Sequence, residues 1–540
     1  MNNDGGYADE NKDVHFFNMG NSDFGKPIYL CVLGVVTDSA EIFEFSRNTT
    51  SVLINNAIHA GEPCGVNASI QLVEKYVSLT EDEKYAYPLV AIIPAYNVGG
   101  MHNRNSTSRA NQIGPEEYGF RGNARNFDLN RDFMKMDSEN MKIFARIYHG
   151  LDPDIFIDTH TSNGAEYQYT LTLIASMYNR LNALEAAFIY DEMLPTITDS
   201  LKQKDSIDLY PYIELNTNRL EGGIHAFNDL ARYSMGYTRL FNSISFTTET
   251  HMLKAFDERV KATFKFLNEV CLFAHNYDDE IERVRRIARL EDGQKQFHYF
   301  NYDLDTVKNK ESFIDLKSYR YFDSSSVLTQ QPRLFYDTNV DSTYSVPFKF
   351  FYKAKDSVKI PKYYVVRKWE KSVINKLLSN GVHVQFLDKD TSVLLRQTKI
   401  DKFSTVDQPY EGHYLHRDVS TLEAIENINL YRGDALVSTR QKSKKYIVES
   451  LEPRCEDSYF NWGMFDSYLQ QKEYFSPYVF EEKAIEILNQ DQLLKEEFES
   501  LKRSDKEFAS SRWNQLYFIY VNSKYYEKSH RVLPVYKSLN

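Results

Sequence analysis

Two patterns of hydrophobic positions alternate along the first half of the chain. Short apolar runs of strand character are followed by stretches in which apolar residues recur every three or four positions, as on one face of a helix. Val66, Ile70, Val73 and Val77 follow the second pattern and predict an amphipathic helix over residues 66–79. The alternation predicts an α/β domain with a mixed, largely parallel central sheet flanked by helices. Strands are predicted at residues 27–36 and 41–46, in the apolar run that begins at Ser51, and at 89–94, 154–159, 169–175 and 244–249; further helices are predicted at 183–201 and 257–275.

The composition changes after a charged stretch at residues 278–296, which predicts a helical connector and a domain boundary near residue 290. Residues 1–290 are predicted to form the α/β domain, and residues 291–540 an α+β accessory region. In the second region the pattern predicts a strand, a helix and a strand, with Asn380 and Gly381 ending the helix. These elements are predicted at 363–366, 369–379 and 382–387, followed by further short strands up to about residue 451 and a mostly helical tail over 470–508.

Three side chains suited to binding a metal ion follow predicted strands. His59 and Glu62 lie in the motif H-A-G-E, in the turn after the run that begins at Ser51, and His160 follows the strand predicted at 154–159. Two imidazoles and one carboxylate form a ligand set that catalytic zinc uses. The H-x-x-E spacing alone is a weak signal, because thirteen histidines would produce roughly one such match by accident. Corroboration has to come from the rest of the chain.

Further polar positions end other elements of the same predicted domain. A long polar stretch at residues 97–126 has no clear periodicity, and loops of this length in compact domains tend to be functional. The motif D-L-N-R, residues 128–131, closes this stretch, and Glu249 ends the last predicted strand. Because crevices in α/β folds lie outside the strand ends, we expect these side chains to meet the predicted metal ligands in one cleft.

Charge and composition limit the kinds of partner that the protein could bind and the compartments in which we expect it. A net charge of −12 argues against nucleic-acid binding and against an anionic membrane surface. The longest apolar run, residues 28–36, is shorter than the roughly 18 residues of a membrane span. The four cysteines show no C-x-x-C spacing. The first residues lack the pattern of a secretory signal, so we expect a cytoplasmic protein, or a periplasmic or extracellular one if a signal was removed; the oligomeric state is open.

Taken together, the motifs H-A-G-E and D-L-N-R, a third histidine about a hundred residues after the first, and a late strand ending in Glu resemble the zinc metallocarboxypeptidases of the carboxypeptidase A type. The resemblance covers roughly residues 25–275. It implies one Zn²⁺ per chain, bound by His59, Glu62 and His160 with a fourth position open. It also implies that Asp128 orients a ligand imidazole by accepting a hydrogen bond from the ring nitrogen that does not bind the metal.

The same resemblance implies how a substrate would be bound and cut. Asn130 and Arg131 would bind the C-terminal carboxylate of a peptide, the guanidinium offering the planar fork that a carboxylate accepts. Glu249 would act as the general base. A further arginine would stabilise the oxyanion, with Arg121 as first choice and Arg125 as second.

Two features of the family pattern could each fall on several residues of this sequence. The place of the family's mobile tyrosine falls near Phe227, with Tyr233 and Tyr237 close by. The floor of the side-chain pocket should lie within residues 220–237, where candidates are Glu221, Asp229 and Ser234. An acidic floor would select Lys or Arg, and a neutral floor would admit apolar side chains.

The function that these residues predict is that of a zinc hydrolase acting in proteolysis, a metalloprotease of the carboxypeptidase type. Its substrate would be a peptide or peptide-like molecule with a free C-terminal carboxylate. Two alternatives remain open from the sequence: a zinc amidohydrolase of the same fold, acting on acyl amino acids or cell-wall peptides, and a catalytically silent peptide-binding protein.

Overall fold

An eight-stranded sheet occupies the centre of the first part of the chain. The computed structural model describes residues 13–34, 39–47, 49–162, 165–217 and 219–539. The strand order in the sheet is β1-β2-β4-β3-β5-β10-β6-β7. The strands of this part are β1 Val14–Asn21, β2 Pro27–Leu33, β3 Ser51–Asn55, β4 Leu89–Ile93, β5 Ile155–Ser162, β6 Leu171–Ala175, β7 Leu209–Pro211, β8 Glu214–Leu215, β9 Ile224–His225 and β10 Ile244–His251.

The inner strands β4, β3, β5 and β10 pair parallel to one another, whereas β2 pairs antiparallel with β4 and β6 antiparallel with β10. Both faces of this sheet are covered. In β3, for example, Val52 and Ile54 belong to one hydrophobic cluster and Leu53 to another. A strand that is buried on both faces reads as a continuous apolar run, which explains the sequence S-V-L-I-N. The predicted mixed α/β class is confirmed.

Helices cover the two faces unequally. Helices α2, α7, α9 and α10 contribute to one hydrophobic cluster, and α5 and α8 to the other. A single π-helical turn, Phe188–Met193, joins α6 to α7. The helices of this part are α1 Ser39–Phe45, α2 Cys64–Ser78, α3 Glu81–Lys84, α4 Val98–His102, α5 Glu139–Leu151, α6 Ala183–Ala187, α7 Leu194–Asp205, α8 Ser234–Arg239, α9 Phe256–Asn276 and α10 Asp278–Gln294.

Most of the predicted elements of the first part are confirmed, and the polar stretch at 97–126 is a loop apart from α4. The strand predicted at 27–36 corresponds to β2, and Val35 and Val36 lie outside the described residues.

The strand predicted at residues 41–46 is wrong, because residues 41–45 belong to helix α1 and residue 46 lies in the turn after it. Ile42 is fully buried and Phe43 packs against the same core, where Gly150 of α5 leaves room for the Phe43 ring. A short apolar run does not distinguish helix from strand, so packing against α5 decides the outcome here.

The second part of the chain contains three further groups of strands. Strands β16-β19-β15-β20-β17-β18 form a six-stranded sheet, β12 and β13 continue a sheet with β9 and β8, and β11 pairs with β14. The strands are β11 Phe297–Leu304, β12 Phe313–Ser325, β13 Pro332–Lys349, β14 Tyr352–Lys359, β15 Tyr363–Val366, β16 Gln385–Phe386, β17 Thr391–Thr405, β18 His416–Leu430, β19 Ala435–Ser438 and β20 Val532–Lys537. The helices are α11 Lys371–Ser379, α12 Lys444–Leu451, α13 Pro477–Gln490, α14 Gln492–Ser504, α15 Lys506–Ser510 and α16 Arg512–Val521.

Two predictions for the second part need correction. The strands are not all short, since β13 has 18 residues and β17 and β18 have 15 each. These strands form hairpins that are largely solvent-exposed, so their sequences lack the strong apolar periodicity that a buried strand shows. The strand predicted at 382–387 is reduced to β16, and the helical tail extends to α16 before β20 returns to the sheet.

One hydrophobic cluster joins the two parts of the chain. It includes Leu53 of β3 and Tyr237 of α8 together with Leu377 of α11 and Tyr446 of α12. The ring of Tyr446 stacks on Phe241, with 5.5 Å between ring centroids. The predicted domain boundary near residue 290 stays a prediction. Residues on both sides of this position contribute to the same hydrophobic cluster.

Two smaller findings concern the rest of the sequence. Among the described residues, no helix combines the length and the apolar character that crossing a bilayer requires. The four cysteines are all free thiols and all buried.

The shared core generates a prediction about cooperativity. Tyr446→Ala should destabilise the protein by about 3–5 kcal/mol, because it empties a packed aromatic site. Protection of β3 and β5 amides from hydrogen exchange should fall together with that of β15 and β19, as measured by mass spectrometry. Tyr474→Ala, at a side chain that is 58% exposed, is the matched control. Loss of protection confined to residues 291–540 would contradict a common core.

Candidate metal centre and active site

The first two candidate ligands lie in a tight turn between β3 and α2. The main-chain N–H of Glu62 donates to the carbonyl of His59 at 2.9 Å, which closes the turn. Gly65, in the first turn of α2, packs directly on Thr159 of β5. A Cβ atom at position 65 would lie 1.9 Å from Thr159 Oγ1, so only glycine fits. The H-A-G-E-P-C-G sequence therefore brings its ligands close to the strand that carries His160.

Register between β5 and β10 brings the next two side chains together. In this parallel pair, Glu249 lies opposite His160, and Thr247 lies opposite Asp158. Neighbouring residues at the same register point to the same face of a sheet, so His160 and Glu249 face the same cleft.

The side chains of His59, Glu62 and His160 have the spacing of a metal site. His59 Nδ1 lies 3.1 Å from His160 Nδ1 and 3.2 Å from Glu62 Oε1. His160 Nδ1 lies 3.2 Å from Glu62 Oε2. A tetrahedral zinc with bonds of about 2.0–2.1 Å holds its ligand atoms roughly 3.3 Å apart. Each of the three residues is at most 5% exposed, and their donor atoms can converge on one ion.

Buried carboxylates lie behind both imidazoles. His59 Nε2 is 3.0 Å from Asp128 Oδ1, and His160 Nε2 is 3.0 Å from Asp158 Oδ2. A carboxylate at this distance favours the tautomer with the proton on Nε2, which leaves Nδ1 as the metal-binding atom. Asp158 was not among the predicted site residues. The signal was present, because residues 158 and 160 are two apart in a strand and share a face.

The carboxylate of Glu62 has its own donors. Its Oε2 accepts the main-chain N–H of Thr161 at 2.8 Å, and its Oε1 accepts Nη1 of Arg109 at 2.9 Å. Burial alone would raise the pKa of Glu62, but His59 and Arg109 outweigh it and hold that pKa well below its ordinary value. Sequence reasoning missed Arg109, because nothing in the long loop indicates which of its arginines turns inward.

An excess of negative charge makes this site attractive to a cation. Burial would lower the pKa of His160, but Asp158 and Glu62 outweigh it and hold the pKa of His160 well above its ordinary value. A group of carboxylates that stabilises a proton on imidazole also stabilises a metal ion in its place. The donor set and its electrostatics both fit zinc.

The D-L-N-R segment forms a single 3₁₀ turn, Leu129–Arg131, at the edge of the cleft. The side chain of Asp128 caps this turn by accepting the main-chain N–H of Asn130 at 2.9 Å. Arg121 donates to Asp128 Oδ2 through Nε at 3.0 Å and Nη2 at 2.8 Å. The Oδ1 atom of Asn130 accepts the main-chain N–H of Ser234 at 2.9 Å, which directs the amide and leaves Nδ2 as a free donor.

Glu249 keeps access to the cleft but loses most of its hydration to the surrounding protein. This loss raises the pKa of Glu249 to about 8, although the nearby His160 acts in the opposite direction. A bound dication would lower the pKa again.

One cavity of about 190 Å³ brings the candidate residues together. It is lined by seven of the eight predicted site residues, and the eighth, Asp128, lies behind His59. These seven are His59, Glu62, Arg121, Asn130, Arg131, His160 and Glu249.

The remaining sequence candidates divide between this cavity and other surroundings. Phe227, Tyr233 and Ser234 line the cavity. Arg125 donates to the carbonyl of Asp137 instead, and Tyr237 is fully buried in the core.

Neither acidic candidate for the pocket floor lines this cavity. Asp229 is fully buried beside Arg239 and Arg180, with oxygen to nitrogen distances of 3.3 and 3.8 Å. Glu221 interacts with Tyr321, whose hydroxyl holds the pKa of Glu221 below its ordinary value.

Comparison with known families agrees with this ligand set. Residues 7–187 match the family model of the zinc carboxypeptidases. The resemblance drawn from the motifs is confirmed, and with it zinc as the cofactor that the ligand set of His59, Glu62 and His160 fits. The matched segment includes both histidines and Glu62 but ends before Glu249. No curated protein matches the chain.

Solved structures that show some similarity to this chain include several carboxypeptidases. The chain is 15% identical to a metallocarboxypeptidase from Burkholderia cenocepacia (TM-score 0.37, covering 51% of this chain and 67% of that one). It is 13% identical to a metallocarboxypeptidase from Pseudomonas aeruginosa in complex with (2-guanidinoethylmercapto)succinic acid (TM-score 0.37, 51% and 67%). It is also 13% identical to carboxypeptidase A from Helicoverpa armigera (TM-score 0.34, 51% and 69%).

The carboxylate behind His59 generates a prediction about metal affinity. Asp128→Asn should weaken zinc binding roughly 10- to 100-fold, because the imidazole loses the carboxylate that fixes its tautomer and orientation. Competition with a chromophoric chelator measures the affinity. Asp418→Asn, at a side chain that is 78% exposed, is the matched control and should leave the affinity unchanged. Equal zinc affinity in all three proteins would show that Asp128 does not support the ligand.

Proposed function

We propose that this protein is a zinc-dependent carboxypeptidase that hydrolyses the C-terminal peptide bond of its substrate. One observation carries the proposal: a guanidinium and an amide donor, Arg131 and Asn130, line the same cavity as the metal ligands and Glu249. A site that combines a hydrolytic centre with a built receptor for an anion fits a substrate whose scissile bond is close to a carboxylate.

His59, Glu62 and His160 would hold the zinc ion, which supplies Lewis-acid activation of water and of the scissile carbonyl when bound. Glu249 accepts the proton of the attacking water and returns it to the nitrogen of the leaving residue. A bound zinc ion would lower the pKa that burial raises, which would let the same carboxyl group be a base first and an acid afterwards.

Arg131 and Asn130 bind the carboxylate of the leaving residue. The guanidinium of Arg131 is positioned by its own neighbour, since its Nη1 donates to the carbonyl of Asn130 at 2.8 Å. Asn130 offers Nδ2 as a second donor, because its Oδ1 is occupied by Ser234. A charged and a neutral donor together match the two oxygens of a carboxylate.

Arg121 is the proposed donor to the developing oxyanion. It lines the cavity, and its side chain is 45% exposed, so part of the guanidinium is available to a ligand. Arg109 also lines the cavity, but Glu62 and Gln112 both accept its hydrogen bonds. Arg121 therefore remains the first choice as the donor that stabilises the oxyanion.

The residue that is released is proposed to be uncharged. The cavity wall beside Glu249 includes Ile174, Met235 and Thr247, and both acidic candidates lie elsewhere. A Lys or Arg side chain there would lose hydration without finding a carboxylate partner.

Hydrolysis tests the proposal. Glu249→Gln should lower turnover by roughly 10²- to 10⁴-fold, because the general base is lost. Its zinc content should equal that of the unmodified protein. A mixed peptide pool analysed by mass spectrometry should show C-terminal ladders, with Glu426→Gln, an exposed position, as the active control.

The alternatives predict different results in the same assay. Release from acyl amino acids without peptide ladders would favour the zinc amidohydrolase. No hydrolysis by a zinc-loaded protein that still binds peptides would favour a silent peptide-binding protein.

The neutral cavity wall gives a separate prediction about specificity. Among peptides that differ only in the last residue, those ending in Leu or Phe should have a kcat/KM at least about tenfold above those ending in Lys or Asp. Initial rates of amino-acid release measure the ratio. A preference for Lys or Arg would contradict the assignment of the wall.

A further inference from the structure

A turn from the second part of the chain reaches the D-L-N-R segment. Tyr410 and His413 exchange main-chain hydrogen bonds of 2.7 and 3.0 Å across the two residues between them. Glu411 and Gly412 occupy these central positions with φ of 50° and 84°. Positive φ at both central residues is the geometry of a tight type I′ hairpin turn.

Two side chains of this turn contact the two ends of the D-L-N-R segment. The hydroxyl of Tyr410 accepts a hydrogen bond from Nε of Arg131, at 3.1 Å. Glu411 Oε2 accepts the main-chain N–H of Asp128 at 2.8 Å. The turn therefore contacts the residue that binds the proposed carboxylate and the residue that supports His59.

Glu411 stays in a left-handed conformation that glycine would adopt at lower cost. A residue other than glycine persists there when its surroundings determine its position. At Glu411 the hydrogen bond to Asp128 is the contact that only a side chain can make.

The turn itself is firmly anchored. His413 Nε2 lies 2.6 Å from Asp137 Oδ2. The Tyr410 ring stacks on Trp462, with 6.1 Å between centroids. The guanidinium of Arg232 lies 5.7 Å from the Tyr410 ring, and its Nε donates to Asp457 at 2.7 Å. Tyr410 is thus fixed by contacts that do not involve Arg131.

Arg131 is held on several sides before any ligand binds. Its guanidinium carbon lies 4.6 Å from the Tyr233 ring centroid, its Nε donates to Tyr410 and its Nη1 donates to the carbonyl of Asn130. A free arginine side chain has many rotamers, and fixing it in advance reduces the entropy that ligand binding costs.

We propose that Tyr410 and Glu411 are positioning residues for Arg131 and for the D-L-N-R segment, so that the carboxylate receptor is assembled from both parts of the chain. This inference rests on the proposed function, because it assigns the carboxylate to Arg131. The second part of the chain is then a component of the substrate site.

The test compares two ligands that differ only at the carboxylate. A phosphinic dipeptide analogue with a free C-terminal carboxylate and its methyl ester both present the same zinc-binding group, and calorimetry on the zinc-loaded full chain measures both dissociation constants without turnover. In Tyr410→Phe the dissociation constant of the acid should rise roughly 3- to 10-fold, the effect of one hydrogen bond. The dissociation constant of the ester should not change, because a neutral methyl ester forms no ion pair with the guanidinium of Arg131.

Matched variants separate positioning from general stability. Tyr414→Phe removes a hydroxyl in the same segment at a side chain that is 55% exposed, and should change neither constant. Glu411→Gly removes the acceptor while favouring the turn, so it should weaken binding of the acid without lowering the melting temperature. Glu411→Gln keeps an acceptor oxygen and should restore the affinity.

Each outcome decides the inference. If Tyr410→Phe weakens both ligands equally, or neither, while the unmodified protein prefers the acid, the inference fails and the proposed function stands. If the unmodified protein does not prefer the acid over the ester, the proposed carboxylate recognition fails, and the inference fails with it.

Discussion

The constraint on which the site depends is the burial of several carboxylates around two imidazoles. Glu62, Asp128 and Asp158 are almost inaccessible to water, and ionised carboxylates in such positions are unfavourable unless cations and N–H donors surround them. Arg109 and Arg121 meet part of that requirement, and a metal ion would meet the rest. Binding of the ion and stability of the surrounding fold are therefore coupled.

This constraint explains why the site collects residues from so many elements. No single strand or loop can supply two imidazoles, three carboxylates and their cationic partners at the required distances. The parallel strands supply the rigid part, with His160 and Glu249 fixed by strand register. The loop between β4 and α5 supplies the arginines.

Much of the fold and the site could be predicted from the sequence because the relevant signals are local. Strands buried on both faces give uninterrupted apolar runs, and ligands that follow such runs are recognisable by motif. Asp158 carried a local signal, its spacing of two from His160, that was not used. Arg109, Tyr410 and Glu411 carried none, since their positions follow from long-range packing of irregular chain. The long hairpins of the second part were missed because exposed strands need little apolar periodicity, and α1 because packing against α5 overrides a strand-like pattern.

Strand β20 completes the six-stranded sheet although it is distant in sequence from both strands that it pairs with. Residues 532–537 pair with both β15 and β17 in the interior of the six-stranded sheet. Without residues 532–537, β15 and β17 would each present an unpaired edge inside the sheet. The turn that contacts Arg131 follows directly from β17. The position of the turn that contacts Arg131 is thus coupled to a strand that enters the sheet from a much later part of the chain.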